Sequence, residues 1–180
     1  MIAEFSPGLI LIIGALLIPV LRGHLRAIYM MALPIAAFAL TLTLEHGSFA
    51  TIPLFGFELI TLRVDRLSLI FGYIFLIATL LGVIYQLHVR DTIQHVAGLI
   101  YAGSGVGAVF AGDLVTLFLF WEGTGIASVF LIWASRTERS LYAGMRYLII
   151  QVGSGVLLLA GTLLHYRETG SIEFNSFNLE

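Results

Sequence analysis

No cysteine occurs anywhere in the sequence. Disulfides, iron–sulfur clusters and thiolate metal sites are therefore excluded. Lysine is absent as well, and all nine basic residues are arginine. Charge of either sign is scarce: 11% of residues are charged, against about 25% in a soluble domain. A surface this poor in charge is not built to face water. The net charge of −2 gives no reason to expect nucleic acid or an acidic substrate as partner. There is no phosphate-binding glycine loop, no Ser–His–Asp set and no basic stripe. No enzymatic activity, cofactor or metal is expected from these residues. The start Met1-Ile2-Ala3-Glu4 lacks a basic n-region and a small-residue cleavage site, so the first apolar run is expected to remain as a helix.

Apolar runs fill the space that charge leaves. The hydrophobic share is 59% and the mean hydropathy +1.00. Crossing the hydrocarbon core takes roughly 20 apolar residues in a helix. Six such runs are expected, over Pro7–Leu21, Ala27–Leu44, Leu67–Gln86, Val96–Ala111, Leu114–Trp133 and Tyr147–His165. The fold class expected is all-α, a polytopic transmembrane bundle in one membrane domain over 1–180. Between the fourth and fifth runs, Gly112-Asp113 predicts a tight helical hairpin. Between the second and third, Phe49–Val64 is β-prone and interrupted by Pro53 and Gly56. This predicts a short β-hairpin around Phe55-Gly56, with a plain interfacial loop as the alternative. The tail Glu168–Glu180 is polar and expected to be loosely ordered.

Arginine distribution orients the chain. The odd-numbered connections hold Arg22, Arg26, Arg90, Arg136, Arg139 and Arg146, whereas the other side holds Arg63, Arg66 and Arg167. The bias places the odd connections in the cytoplasm and both termini outside, in the periplasm if the membrane is a bacterial inner membrane. Trp133 and Tyr85 at helix ends fit an aromatic belt.

Most carboxylates avoid the bilayer. Glu4, Glu45, Glu58, Asp91, Glu138, Glu168, Glu173 and Glu180 fall in loops or tails. Glu122 does not: it lies in Phe120-Trp121-Glu122-Gly123-Thr124-Gly125, near the middle of the fifth run. An ionised carboxylate at mid-bilayer costs roughly 2.5–3.5 kcal/mol even on lenient scales, and such residues are functional by default. Glu122 is thus the candidate proton carrier, the alternative being a neutral glutamate hydrogen-bonded across a helix pair. Small residues Gly123, Gly125 and Ala127 allow another helix to come close. Thr124 and Ser128 offer hydroxyls that could hold water. The fourth run brings Gly103-Ser104-Gly105-Val106-Gly107 and the sixth Gln151, Gly153, Ser154 and Gly155. Packing of these three segments around a narrow polar centre is expected, with Thr124, Ser128, Ser104 and Gln151 as lining. Dry helix packing would use the same glycines.

Asp65 is expected to cap the third helix or pair with Arg66 or Arg63, and Asp113 to cap the fifth. His24, His88, His95 and His165 sit at helix ends and His46 in a loop. Their spacing matches no metal motif, and a solvated or interfacial setting is expected for each.

Val64-Asp65-Arg66-Leu67-Ser68, Phe110-Ala111-Gly112-Asp113-Leu114, Phe120-Trp121-Glu122, Ile126-Ala127-Ser128-Val129-Phe130-Leu131-Ile132 and Arg146-Tyr147-Leu148 together resemble the antiporter-like membrane subunits. That family includes the A-type and D-type subunits of Mrp sodium/proton antiporters and the proton-pumping subunits of respiratory complex I. The D-type subunit looks closest. The resemblance implies three leading helices (1–95) followed by the first half of an antiporter-like repeat with its polar tail (96–180). It also implies a hydrated polar axis at mid-membrane, along which the fifth-helix glutamate, here Glu122, works with a lysine on a broken helix. That broken helix and its lysine are not in these 180 residues. Arginine cannot replace the lysine, because it does not release its proton at working pH. The expected function is therefore a membrane subunit of an Mrp or complex I related cation/proton antiporter-like complex. Glu122 would contribute to proton translocation, and a partner membrane subunit would supply the lysine helix. Alternatives are a structural or assembly subunit that moves no ion, and a membrane anchor of a related redox complex. Membrane lipid is the remaining expected partner.

Overall fold

A computed structural model describes residues 5–54 and 56–174. Residues 1–4, Phe55 and 175–180 lie outside the described residues, and with them the hairpin's expected tip residue and the end of the polar tail. Six α-helices appear among the described residues: α1 (Pro7–Ala15), α2 (Gly23–Leu42), α3 (Arg66–Gln86), α4 (Thr92–Val109), α5 (Leu114–Trp133) and α6 (Glu138–Thr169). Strands β1 (Gly47–Leu54) and β2 (Phe57–Val64) pair antiparallel between α2 and α3. The expected all-α bundle with one small hairpin is the fold observed.

Four helices, α2, α3, α5 and α6, are individually long and apolar enough to cross a membrane. The other two expected spans depart from this. Helix α1 ends at Ala15 and continues as a 3-10 turn, Ile18–Val20. Pro19 has no N–H to offer and its ring opposes further α-helix. The Tyr29 hydroxyl of α2 donates to the Gly14 carbonyl oxygen at 3.0 Å, pairing a group left near that break. Helix α4 has 18 residues and carries Gln94 and His95. Both are inner helices. They meet so closely that a side-chain carbon on Gly8 would run into the Gly103 carbonyl oxygen and the backbone of Gly107. Helix α1 is apolar throughout but short, and protein contacts on α4 relieve that helix of having to be apolar on all sides.

The largest correction concerns α6. Hydropathy places its start at Tyr147, but the helix begins at Glu138 and runs for 32 residues, about 48 Å at the α-helical rise. Thr137 and Ser140 form a reciprocal capping box that starts it, and Gly170 at φ 71 ends it. Apolar content marks only the part that crosses lipid. The first turns are polar, so Arg139 and Arg146 are helical residues rather than loop residues.

The two ends of the bundle differ. At one, Arg26 Nη1 donates to Thr92 Oγ1 at 2.9 Å and Arg136 pairs with Asp91 at 3.2 Å. At the other, β2 is joined to the α4–α5 turn. The Arg63 N–H donates to the Phe110 carbonyl oxygen at 2.7 Å, and the Gly112 N–H to that of Ile60 at 2.9 Å. The segment after α6 closes over the same turn, with the Leu114 N–H donating to the Ile172 carbonyl oxygen at 3.0 Å. Arg63 Nη1 reaches the Phe174 carbonyl oxygen, also at 3.0 Å.

Asp113 is the hub of this cluster. Fully buried, it accepts from the Thr116 N–H at 2.7 Å, the Thr116 hydroxyl at 2.7 Å and the Ile60 N–H at 2.6 Å. The expected cap is present, and the same carboxylate also holds β2. Asp65 forms a capping box with Ser68.

Replacing Asp113 with Asn would turn an amide N–H₂ toward groups that themselves donate. A buried donor left unpaired costs about 1–3 kcal/mol. The expected result is a lower thermal unfolding midpoint in detergent and faster hydrogen exchange at Ile60. An unchanged midpoint with unchanged exchange would show that the hub does not hold the hairpin.

Candidate functional site

Helix α5 lies between α4 and α6, which pack on opposite sides of it. At 3.6 residues per turn, Phe118, Glu122, Gly125 and Trp133 fall on one side of α5. Each touches α6. A side-chain carbon at Gly155 would run into Glu122 Oε1 and come within 3.3 Å of the Phe118 ring, one at Gly125 would run into Gln151, and one at Gly144 into Trp133. Phe120 and Gly123 fall on the other side. The Phe120 ring occupies the space beside Gly107 of α4, and Ser104 Oγ lies 2.6 Å from where a Gly123 side chain would begin.

Glu122 sits near mid-length of α5 and is half-buried. Its Oε1 is shielded from solvent and has no hydrogen-bond partner among the described residues. The carbonyls and amides around it are committed to their helices, and the glycine at 155 removes the Cβ that would exclude the carboxyl group. Chemically, this oxygen is free to take a proton, a water or a donor brought by another helix.

The other expected site residues divide. Gln151 is brought to the Glu122 side of α5, one turn along α6 from Gly155. Ser104 is buried on the α4 side. Thr124 also faces that side, where it lines a groove with residues of α2, α3 and α4. The Thr124 hydroxyl donates to the Trp121 carbonyl oxygen at 2.6 Å, and the Ser128 hydroxyl to that of Thr124 at 2.8 Å. Both are spent on their own helix and retain only acceptor capacity. The three glycine-rich segments do pack, but as a row of helices rather than a ring around one centre. Spacing along a single helix indicates which residues share a side, not which neighbour covers that side.

One residue departs from the sequence reading. His95, expected to be solvated or interfacial, is 2% exposed. Its Nε2 lies 2.9 Å from the Val89 carbonyl oxygen, and since a carbonyl only accepts, Nε2 carries the hydrogen. The signal for its burial is the series His95, Leu99, Gly103, Val106, a helical stripe that runs into the α1 contact. Tyr85 is exposed at its helix end as an aromatic belt requires, whereas Trp133 packs on Gly144. Among the described residues, no group of His, Asp and Glu could hold a metal ion.

Comparison with known proteins agrees with this fold. The family described as NADH:quinone oxidoreductase/Mrp antiporter, TM, matches residues 111–179, a stretch that includes Asp113, Glu122, Gln151 and Gly155. The A-type subunit of the Na(+)/H(+) antiporter of Alkalihalophilus pseudofirmus is 30% identical over 94% of this chain, which covers 23% of that protein. Hydrogenase-4 component B of Escherichia coli is 32% identical over 69% of this chain, covering 20% of that protein. The chain thus spans less than a quarter of these relatives. A chain in the structure of the membrane-bound sulfane sulfur reductase (MBS), an archaeal respiratory membrane complex, superposes with a TM-score of 0.82. That match has 23% identity and covers 94% of this chain and 28% of the other. The chain is a multi-pass membrane protein of the antiporter-like subunit family that Mrp-type antiporters share with complex I.

Proposed function

We propose that this chain is the glutamate-bearing portion of an antiporter-like ion-transport subunit, and that reversible protonation of Glu122 is its step in proton translocation. The observation that carries this reading is the shielded, unpartnered Oε1 of Glu122 at mid-helix, facing Gly155 of α6. A buried polar group without a partner is disfavoured and persists where function requires it. Gln151 stands beside it as the nearest polar group of the proposed path. Ser104 and Thr124 lie on the α4 side of α5, apart from this carboxyl group. The complementary charge is a lysine from outside these 180 residues, on a neighbouring helix or subunit. Any redox chemistry in such an assembly resides on other subunits. Helices α1 to α3 are the three leading helices, and the chain from α4 onward is the first half of a repeat, which moves the boundary expected at 95 to before Thr92.

A second reading, a structural subunit that moves no ion, draws on the hydroxyls of Thr124 and Ser128 being bonded to their own helix. Transport measurements separate the two. In the membrane assembly that carries the chain, Glu122→Gln should reduce cation/proton exchange at least tenfold while assembly is preserved. Unchanged exchange would establish the structural reading.

Gly155→Leu tests the geometry directly. The new side chain occupies the place of Glu122 Oε1 and should also reduce exchange at least tenfold. Gly153→Leu, on the same helix but facing open space, should not. Equal effects of the two would break the link between the Gly155 contact and transport.

The arginine-rich ends of the bundle are proposed to face the cytoplasm of a bacterial inner membrane. The absence of native cysteine makes the topology test direct. In intact cells an impermeant maleimide should label Glu58→Cys, in the hairpin, and spare Ser135→Cys, between α5 and α6. The reverse pattern would invert the orientation.

A further inference from the structure

A groove of about 410 Å³ runs between α3 and α4, floored by Met30 of α2 and reaching Thr124 of α5. Along α3 it extends from Phe75 to Gln86, about 16 Å at the helical rise. Its α4 wall is Leu99, Tyr101 and a stripe of small residues, Gly98, Ala102 and Gly105, which opens the channel. The groove's two threonine hydroxyls are bonded to their own helices, Thr79 donating to the Phe75 carbonyl oxygen at 2.7 Å and Thr124 to that of Trp121 at 2.6 Å, and its third hydroxyl is the phenol of Tyr101. Side-chain carbons at Gly82 and Gly105 would meet nothing closer than 3.9 Å, so the space is real rather than a packing seam. The Gln86 amide stands at one end, beside Gly98.

That end is the charged end of the bundle. By helical spacing, Asp91 and Gln94 continue the α4 stripe of Gly98, Ala102 and Gly105 toward it. There an open cleft is lined by Arg90, Asp91, Thr92, Ile93, Ala134 and Arg136. Arg136 pairs with Asp91 at 3.2 Å but its side chain remains 71% exposed, and Arg26 reaches Thr92 from behind. Three arginines meet one carboxylate, and the adjoining Glu138 and Arg139 add one charge of each sign. Arg136 also occupies the left-handed region, φ 52, where glycine would be unstrained. That conformation belongs to the turn that ends α5, where the Arg136 N–H donates to the Trp133 carbonyl oxygen at 2.9 Å.

An apolar channel lying within the lipid-crossing part of the bundle and a cationic cleft at the same end fit one kind of molecule. We infer that the groove and the cleft form a single site for an anionic phospholipid, its phosphate held by Arg90 and Arg136 and one acyl chain laid between α3 and α4. Basic clefts at helix ends are suited to anionic head groups, and the channel supplies the chain selectivity that a free anion would not need. The site lies across α5 from Glu122 and does not depend on its role.

The test uses the chain in the assembly that carries it, delipidated and titrated with dioleoyl phosphatidylglycerol, with dioleoyl phosphatidylcholine, or with inorganic phosphate. The readouts are the thermal midpoint and native mass spectrometry. Phosphatidylglycerol should raise the midpoint and remain bound at one per chain, with phosphatidylcholine and phosphate ineffective. The exposed pair Arg90→Gln and Arg136→Gln together should raise the half-saturating lipid concentration at least tenfold. Gly82→Leu, which fills the channel without a clash, should do the same while leaving the charge intact. Equal effects of the two lipids, or wild-type affinity in either variant, would overturn the site. Stabilisation by phosphate alone would reduce it to an anion cleft and equally overturn the proposal.

Discussion

Close approach of helix backbones at glycine is the constraint on which the rest of this bundle depends. In lipid there is little hydrophobic drive between helices, so association rests on packing and on the few polar contacts that near approach permits. Gly8 against Gly103 and Gly107 seats the short α1 inside the bundle, and Gly107 under Phe120 locks α4 to α5. Gly125 under Gln151 and Gly144 under Trp133 do the same between α5 and α6. Gly155 differs from these, because what fills its space is a carboxyl oxygen. The same device that packs the helices thereby makes room for the one acid in the middle of α5.

Backbone pairing sets the second constraint. Irregular chain at a membrane protein's rim needs partners for its N–H and C=O groups, and the hairpin, the α4–α5 turn and the segment after α6 supply them to one another. Asp113 is the joint. Its carboxylate caps α5 and also accepts from Ile60 in the hairpin, so the start of α5, and with it the depth of Glu122, is referenced to the hairpin. Leu62 and Val64 of β2 and Phe110 of the turn are buried together beneath this joint. The hairpin is therefore part of the framework that fixes the helix carrying the candidate site.

The two sides of α5 have different character. Toward α6 lies a carboxyl group with an unsatisfied oxygen and one amide, and toward α4 lie a buried serine and a groove whose threonine hydroxyls are internally bonded. Of these groups only the Glu122 carboxyl is ionisable. Helix α6 itself is mostly exposed beyond its α5 contact, with Leu157, Ile150 and Leu164 among its open residues, as befits a helix on the outside of the bundle.

Much of this is legible in the sequence, for identifiable reasons. Apolar length locates the helices because lipid demands it, and α5 is bounded at its observed residues because Asp113 and the polar run after Trp133 are local signals. Strand content before Val64 and the capping role of Asp65 are equally local. The solitary acid Glu122 stands out because charge at mid-bilayer is costly whatever surrounds it. Other features need tertiary structure. The early start of α6 escapes a reading by hydropathy because its first turns are polar and stabilised by a capping box. The burial of His95 escapes it because burial at a helix end depends on α1 lying against α4. The expected polar centre resolves into two separate sides of α5, and the hydroxyls of Thr124 and Ser128 turn to their own helix. The sequence alone thus determined where the long apolar helices cross, the caps at Asp65 and Asp113, and the one residue that lipid cannot ignore. Tertiary structure decided which helix faces that residue, because side-chain periodicity fixes directions around an axis but not the neighbour that stands in each.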